Sequence, residues 1–405
     1  MRTIDFLSVV LFFCYEYIMF LQVSSTIYSI FLLPIVLSEM INDHQIFTNK
    51  FLGKSIEISD TQTIRTIDAF LQGVLERFSI PGIALGVFRN DKIIHAKGYG
   101  YSNIEHQVPV KPETVFQSGS VGKQFTSMAI MMLIEKGKLR LDDKIKQYFP
   151  DAPSTWNNIT IRHLLTHTSG MTDYPDHINL QDDYTEEEIY QEIKKNPLAF
   201  PVGEQWSYSN LGYVMLGILI RRITNQFYGD FLKENVFNPL GMTTARVINE
   251  TDIIPNRASG YILANGELKN QAWVSPSLNT MADGALYLTI YDMAKWDAGL
   301  NNNQLLKDPK SFDTMWSPVK LNNGSTYPYG FGWTLARAKN GMRIVEHGGA
   351  WQGFKSFVIR ILEEKLTIVL FANLGETEIE ELAKLVLHFY KPELVPNLIL
   401  KSINR

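Results

Sequence analysis

An α+β fold is what the chain predicts: an antiparallel sheet of about five strands flanked by terminal helices, with a mostly helical lobe inserted into it. Three observations carry this expectation. Two strand-like runs stand near one end, three stand near the other, and a long stretch of helix-periodic sequence separates them.

Taken in order, Asp60 can cap a helix in which Ile64, Ile67, Leu71, Val74, Leu75 and Phe78 recur at three- and four-residue spacing and so form one buried face. Residues 83–88 and 93–101 flank the polar tetrapeptide Arg89-Asn90-Asp91-Lys92, the pattern of a hairpin with a short turn. Much further on, 342–346, 354–361 and 366–373 are strand candidates, the last two separated by the charged turn 362–365. Ile379, Leu382, Val386 and Phe389 then form a closing amphipathic helix. The strands from both ends fit one antiparallel sheet, so the chain leaves that sheet and returns to it. The insertion carries periodic apolar faces over 124–136, 159–165, 211–223 and 231–237. These limits give a sheet lobe of about 60–114 and 285–390, a helical lobe of about 115–284, and a C-terminal tail over 391–405. A cleft between two such lobes is a common place for a ligand site.

The 405 residues, 45% hydrophobic and 20% charged, suffice for a substantial core. A net charge of -4 with no long basic run argues against a nucleic-acid partner. Cys14 is the only cysteine and lies in the leader, which excludes a disulfide framework, a Cys-ligated metal site and a thiol nucleophile from the body of the chain. Residues 17–37 contain no charge and match a bilayer core of roughly 30 Å, so 1–45 reads as a signal peptide or a membrane anchor. The expected location is therefore periplasmic or extracellular, or attached to a membrane through the N-terminus. A start codon placed upstream of a soluble protein is a further alternative.

The chemistry is concentrated in three short segments. In Gln117-Ser-Gly-Ser-Val-Gly-Lys123, Ser120 and Lys123 are three apart where a helix is expected to begin, which puts both on one face with the serine at the positive end of the helix dipole. An amine takes a serine proton only if its pKa is brought far below about 10.4. Tyr208-Ser209-Asn210 precedes an apolar helical run, where a phenol and an amide can face a cleft, and Tyr208 joins in proton transfer if the lysine depresses its pKa. His347-Gly348-Gly349-Ala350 ends a predicted strand, and its glycines let a substrate carbonyl approach the backbone, whose amides could form half of an oxyanion hole.

The order Ser-x-x-Lys, Tyr-x-Asn, His-x-Gly resembles the class C β-lactamase and DD-peptidase superfamily of penicillin-recognising serine hydrolases. The likeness runs from about 60 to 390 and takes in His163-Leu-Leu-Thr-His-Thr-Ser-Gly170, Pro239-Leu-Gly-Met242 and Tyr329-Gly-Phe-Gly-Trp333. It implies a serine β-lactamase/transpeptidase-like fold. It further implies Ser120 as the acylated residue, Lys123 and Tyr208 as the base system, Asn210 as a donor to the substrate, and the N–H groups of Ser120 and Ala350 as oxyanion donors. Many relatives carry Lys-Thr-Gly where this chain has His347-Gly-Gly349, so the resemblance lies with the esterase and D-amino-acid peptidase branches. If His347 holds a substrate carboxylate as imidazolium, binding weakens between about pH 6 and 8.

His163 and His167, four apart with His177 beyond, lack the glutamate of a His-Glu-x-x-His site and read as structural. Ser118 has Val121 rather than a lysine three residues on. The expectation is thus an amide or ester hydrolase acting on a small-molecule or peptide substrate, such as a D-amino-acid peptide, an ester or a β-lactam, with neither metal nor organic cofactor. The alternative is a non-catalytic peptide- or peptidoglycan-binding protein on the same scaffold.

Overall fold

The computed structural model describes residues 60–175, 177–248, 251–271, 274–278 and 281–394. The leader assigned to 1–45 and most of the tail assigned to 391–405 lie outside them. Among the described residues, no helix is long and apolar enough to cross a membrane.

The chain enters through helix α1 (Asp60–Phe78), whose residues Ile67 and Leu71 are fully buried as their spacing requires. Strands β1 (Gly82–Arg89) and β2 (Lys92–Asn103) form the expected hairpin. Arg89 pairs with Lys92, which leaves Asn90 and Asp91 as a two-residue turn with φ of 50° and 64°; Asn and Asp tolerate this conformation, and its twist matches that of the strands. Strand β3 (Val108–Pro109) adds an edge.

After the helical insertion the chain returns as β4 (Thr334–Arg337), β5 (Arg343–Trp351), β6 (Phe354–Ile361) and β7 (Leu366–Ala372). The sheet has seven strands in the order β4-β5-β6-β7-β1-β2-β3, antiparallel throughout, with Leu85 opposite Leu370 and His347 opposite Val358. The five expected strands form its middle. Two edge strands go beyond that expectation, and both are too short to show an alternating pattern in sequence. Every residue of β7, and all of β1 but its last, is buried, so side chains on both faces of the central strands are covered. Helix α7 (Ile379–Tyr390), packed on β6 and β7, provides part of that cover.

Between the two halves of the sheet lie α2 (Lys123–Glu135), α3 (Ile161–Leu165), α4 (Glu186–Lys194) and α5 (Asn210–Thr224). Residues 231–237, expected as one helix, instead divide between an α-helical turn, Tyr228–Leu232, and a wider π turn, Lys233–Phe237. A further helix, α6 (Ile290–Asn301), starts at Thr289, which forms a reciprocal capping box with Asp292.

Candidate active site

Ser120 stands on a 3-10 turn, Gly119–Gly122, that runs directly into α2, of which Lys123 is the first residue. This turn brings the Lys123 amine 3.2 Å from the Ser120 hydroxyl. Lys123 is fully buried, yet no carboxylate oxygen bonds its nitrogen. Its other partners are the side-chain oxygen of Asn210 at 2.6 Å and the main-chain carbonyl of Asp283. Those two oxygens can only accept, so in the neutral amine they take both N–H groups and the lone pair is left facing the serine hydroxyl. Burial, opposed by the nearby charges of Asp283 and Asp173, lowers the Lys123 pKa to about 8.

Tyr208 and Asn210 come from the loop that becomes α5. Ser209 caps that helix by accepting from the Gly212 amide, which fixes Tyr208 just outside the first turn and Asn210 just inside it. The amine of Lys123 lies 4.9 Å from the centre of the Tyr208 ring and 5.3 Å from that of Tyr213. The Tyr208 hydroxyl is buried and faces Ser120 without completing a hydrogen bond. Here the structure departs from the expectation of a depressed phenol. Burial pushes Tyr208 well above its ordinary value, and the Ser120 interaction offsets only part of this. Tyr208 is a neutral phenol at any physiological pH. The amide nitrogen of Asn210, expected to face substrate, donates to the exposed Asp173 carboxylate at 3.2 Å.

The third segment lies at the end of β5, beyond the last residue paired with β4, Glu346. Glycine is required here by close backbone approach: a Cβ on Gly349 would sit 2.1 Å from the Ser118 carbonyl oxygen and 2.9 Å from the Ser120 nitrogen. A Cβ on Gly119 would meet the Ala350 nitrogen at 2.5 Å. The missing side chains thus let β5 lie against the Gly119–Gly122 turn and bring the amides of Ser120 and Ala350 into one neighbourhood.

His347 is a second departure. Burial, helped by the Lys123 charge, holds its pKa down to about 4, so the ring does not change charge between pH 6 and 8. Both ring nitrogens have partners, the Gly348 carbonyl at 2.6 Å and the Tyr329 hydroxyl at 2.9 Å. Sequence reasoning therefore located Ser120, Lys123, Tyr208, Asn210, His347, Gly349 and Ala350, which the fold gathers. It missed Asp283, which contributes a backbone atom and so leaves no signature, and it named His167 and Tyr329 only within the segments of family likeness, without a place at the site. Of the other histidines, His163 closes a capping box with Thr160, and among the described residues no three His, Cys, Asp or Glu side chains converge as a metal site would need.

A serine beside a buried lysine at a helix start and a glycine-lined strand end on an antiparallel sheet are the features of the serine hydrolases of the β-lactamase type. The family model described as Beta-lactamase matches residues 67–389, and the chain belongs to that family and is a serine hydrolase. It is 32% identical over 324 residues to Penicillin-binding protein 4* of Bacillus subtilis, covering 76% of this chain and 71% of that one. It is similar in structure to an octameric penicillin-binding protein homologue from Pyrococcus abyssi, with a TM-score of 0.73, 26% identity, and coverage of 84% and 80% of the two chains. The D-amino acid amidase of Ochrobactrum anthropi SV3 shares the fold, with a TM-score of 0.70 at 24% identity over 81% of this chain and 99% of that one.

Proposed function

We propose that the protein cleaves an amide or ester through an acyl-enzyme on Ser120, with Lys123 as the base. The observation that carries this reading is the Lys123 amine, 3.2 Å from the Ser120 oxygen and lowered to about 8, so that roughly one molecule in ten holds it neutral at pH 7. The neutral amine takes the Ser120 proton as the oxygen attacks the substrate carbonyl. The Ser120 and Ala350 amides receive the oxyanion, a contribution typically of about 3 kcal/mol per donor. Tyr208, a neutral phenol, passes its proton to the leaving nitrogen or oxygen and regains one from the Lys123 ammonium. Water then attacks the acyl carbonyl as Lys123 takes its proton, the acyl–Ser120 bond breaks, and the Lys123 ammonium returns that proton to the Ser120 oxygen. Asn210 holds Lys123 through its oxygen, and its nitrogen turns from solvent-facing Asp173 to the substrate carbonyl.

The substrate class is an amide or ester: a D-amino-acid peptide, a small ester or a β-lactam. The neutral His347 disfavours substrates that rely on a fixed cation at that position. The uncharged run 17–37 supports export or attachment to a membrane through the N-terminus.

The test is intact-protein mass spectrometry after treatment with a fluorophosphonate or a labelled penicillin. One adduct on the wild type, absent from Ser120→Ala, is expected; an unmodified wild type that still binds peptides would favour the non-catalytic reading. A panel of p-nitrophenyl esters, D-alanyl peptides and nitrocefin against the same two proteins assigns the substrate.

A further inference from the structure

Behind the catalytic groups, four hydrogen bonds run through two imidazoles and one phenol that the proposed chemistry does not use. The Ser209 amide lies 3.1 Å from His167 Nδ1, His167 Nε2 lies 3.1 Å from the Tyr329 hydroxyl, that hydroxyl lies 2.9 Å from His347 Nε2, and His347 Nδ1 lies 2.6 Å from the Gly348 carbonyl. All three side chains are nearly inaccessible, at 1%, 2% and 6% exposure for His167, Tyr329 and His347.

The two ends of this series fix the direction of every bond in it. An amide N–H can only donate, so His167 Nδ1 is an acceptor and the ring proton stands on Nε2, from which it is given to the Tyr329 oxygen. A carbonyl can only accept, so His347 carries its proton on Nδ1 and its Nε2 accepts from Tyr329. One hydroxyl, which receives one proton and gives one, is the group that reconciles the two rings. The opposite tautomer of either ring would set lone pair against lone pair or proton against proton. Tyr213, whose own proton goes to the Leu165 carbonyl at 2.9 Å, can offer this hydroxyl only an acceptor, and the Tyr329 proton goes instead to His347 Nε2 at 2.9 Å, which would otherwise set its lone pair against the phenol oxygen. Both rings lie within the field of the Lys123 charge, which with burial favours their neutral forms.

The series also has a place in the fold. At one end Ser209 sits between Tyr208 and Asn210. At the other, Gly348 immediately precedes Gly349 and Ala350 on β5. His167 itself holds a left-handed backbone conformation, φ 58°, and its ring packs on that of Tyr208 with centroids 4.3 Å apart. We infer that Tyr329 is a positioning residue: its hydroxyl bridges the opposite neutral tautomers that the backbone sets on His167 and His347, and so holds the loop of Tyr208 in register with the strand of Ala350. His347 is accordingly part of the frame that aims the oxyanion amides, with no nitrogen left to bind a substrate carboxylate. The kinetic side of this inference rests on Ser120 being the nucleophile.

The test combines spectroscopy on the full chain with kinetics on Tyr329→Phe, a change that removes one oxygen and keeps the ring. In protein labelled with 15N-histidine, long-range 1H–15N correlation should show His347 protonated on Nδ1 alone and His167 on Nε2 alone, assigned by their loss in His347→Asn and His167→Asn. Asparagine suits the positive φ at 167. In Tyr329→Phe the backbone partners should keep each ring in its tautomer while the Nε2 resonances of both shift as the shared hydroxyl is lost, and kcat toward the best ester of the panel should fall about 10- to 100-fold, with KM within about threefold. Either ring in the opposite tautomer in the wild type, or titrating between pH 6 and 8, would overturn the proposal, as would a wild-type kcat in Tyr329→Phe. The wild-type spectra alone decide the tautomers, even if the variant folds poorly. A normal kcat in Tyr329→Phe alongside a labelled Ser120 would remove the positioning role alone, whereas an unlabelled Ser120 would remove the hydrolase reading and the positioning role with it.

Discussion

Among the described residues, the two most deeply buried cations, Arg360 and Lys123, are held in opposite ways. Arg360, on β6, has 3% of its side chain exposed and donates at 2.8 Å to Asp297 of α6, itself 2% exposed. Thr367 and Asn301 complete that cluster, with bonds of 2.6 Å to Asp297 and 2.8 Å from Arg360. Lys123, with no exposed surface, has only uncharged oxygens as hydrogen-bond partners. A guanidinium that cannot lose its proton requires a carboxylate in such a place. An amine given only dipoles can shed its charge, and that is the property a base needs. The same burial thus fastens a helix to the sheet in one region and supplies a reactive group in the other.

Exchanging each group for an apolar one should separate these roles. Lys123→Met is expected to reduce acylation of Ser120 by roughly 10³-fold, while the urea-unfolding free energy falls by only about 1–2 kcal/mol, because two acceptors lose their donor but no opposite charge is left stranded in hydrogen-bond contact. Asp297→Ala should do the reverse. It leaves Arg360 buried without its carboxylate and should cost about 3–5 kcal/mol of stability, with kcat of the folded fraction unchanged. A strongly destabilised Lys123→Met, or an undamaged Asp297→Ala, would break the contrast.

This contrast was only half legible in the sequence. Ser120, Lys123, Tyr208 and His347 stand out because side-chain chemistry at short spacing is visible in a string of letters. The acceptor on Asp283 is a backbone atom 160 residues from Lys123, and only the folded chain reveals it. The direction of the Tyr208 shift was missed for a related reason: the adjacent lysine was apparent, but the depth of burial that outweighs it was not. In the fold, long apolar runs gave the five central strands. Helices α4 and α6 went unread although Thr185 with Glu188 and Thr289 with Asp292 are capping-box pairs at the proper spacing. Their cap signals were present, and their buried residues, Ile189, Tyr190 and Ile193 in α4 and Ile290, Met293, Trp296 and Leu300 in α6, do stand at helical spacing, in stripes shorter than that of α1.

A third buried charge sharpens the comparison from the acidic side. Glu346, next to His347 but felt by Lys384, Glu380 and Glu381 of α7, is raised to about 7 by burial, with Lys384 pulling the other way. The folded protein therefore binds more protons here than the unfolded chain between about pH 4.5 and 7. Stability from this group is full below that window and is lost as pH rises through it. Glu346→Gln should flatten the fall, worth about 2 kcal/mol between pH 5 and 8, read as the difference in urea midpoints between variant and wild type. Parallel curves for the two proteins would mean that Lys384 neutralises Glu346 as fully as Asp297 neutralises Arg360.

The smallest expected effect bears directly on the base. With Lys123 acting as the neutral amine, as proposed, and its pKa lowered to about 8, kcat/KM should rise about tenfold from pH 7 to its plateau above pH 9. The neighbouring carboxylates oppose that lowering, and Asp173, which faces solvent, should contribute only weakly through screened charge. Asp173→Asn removes the charge and retains an oxygen that can accept from Asn210, so the rising limb should move toward acid by a few tenths of a pH unit with its shape unchanged. A shift toward alkali would contradict the sign of the interaction. A flat profile between pH 7 and 9 in both proteins would mean that the amine beside Ser120 loses its proton well outside this range, and the difference between the two buried cations would then have no catalytic consequence.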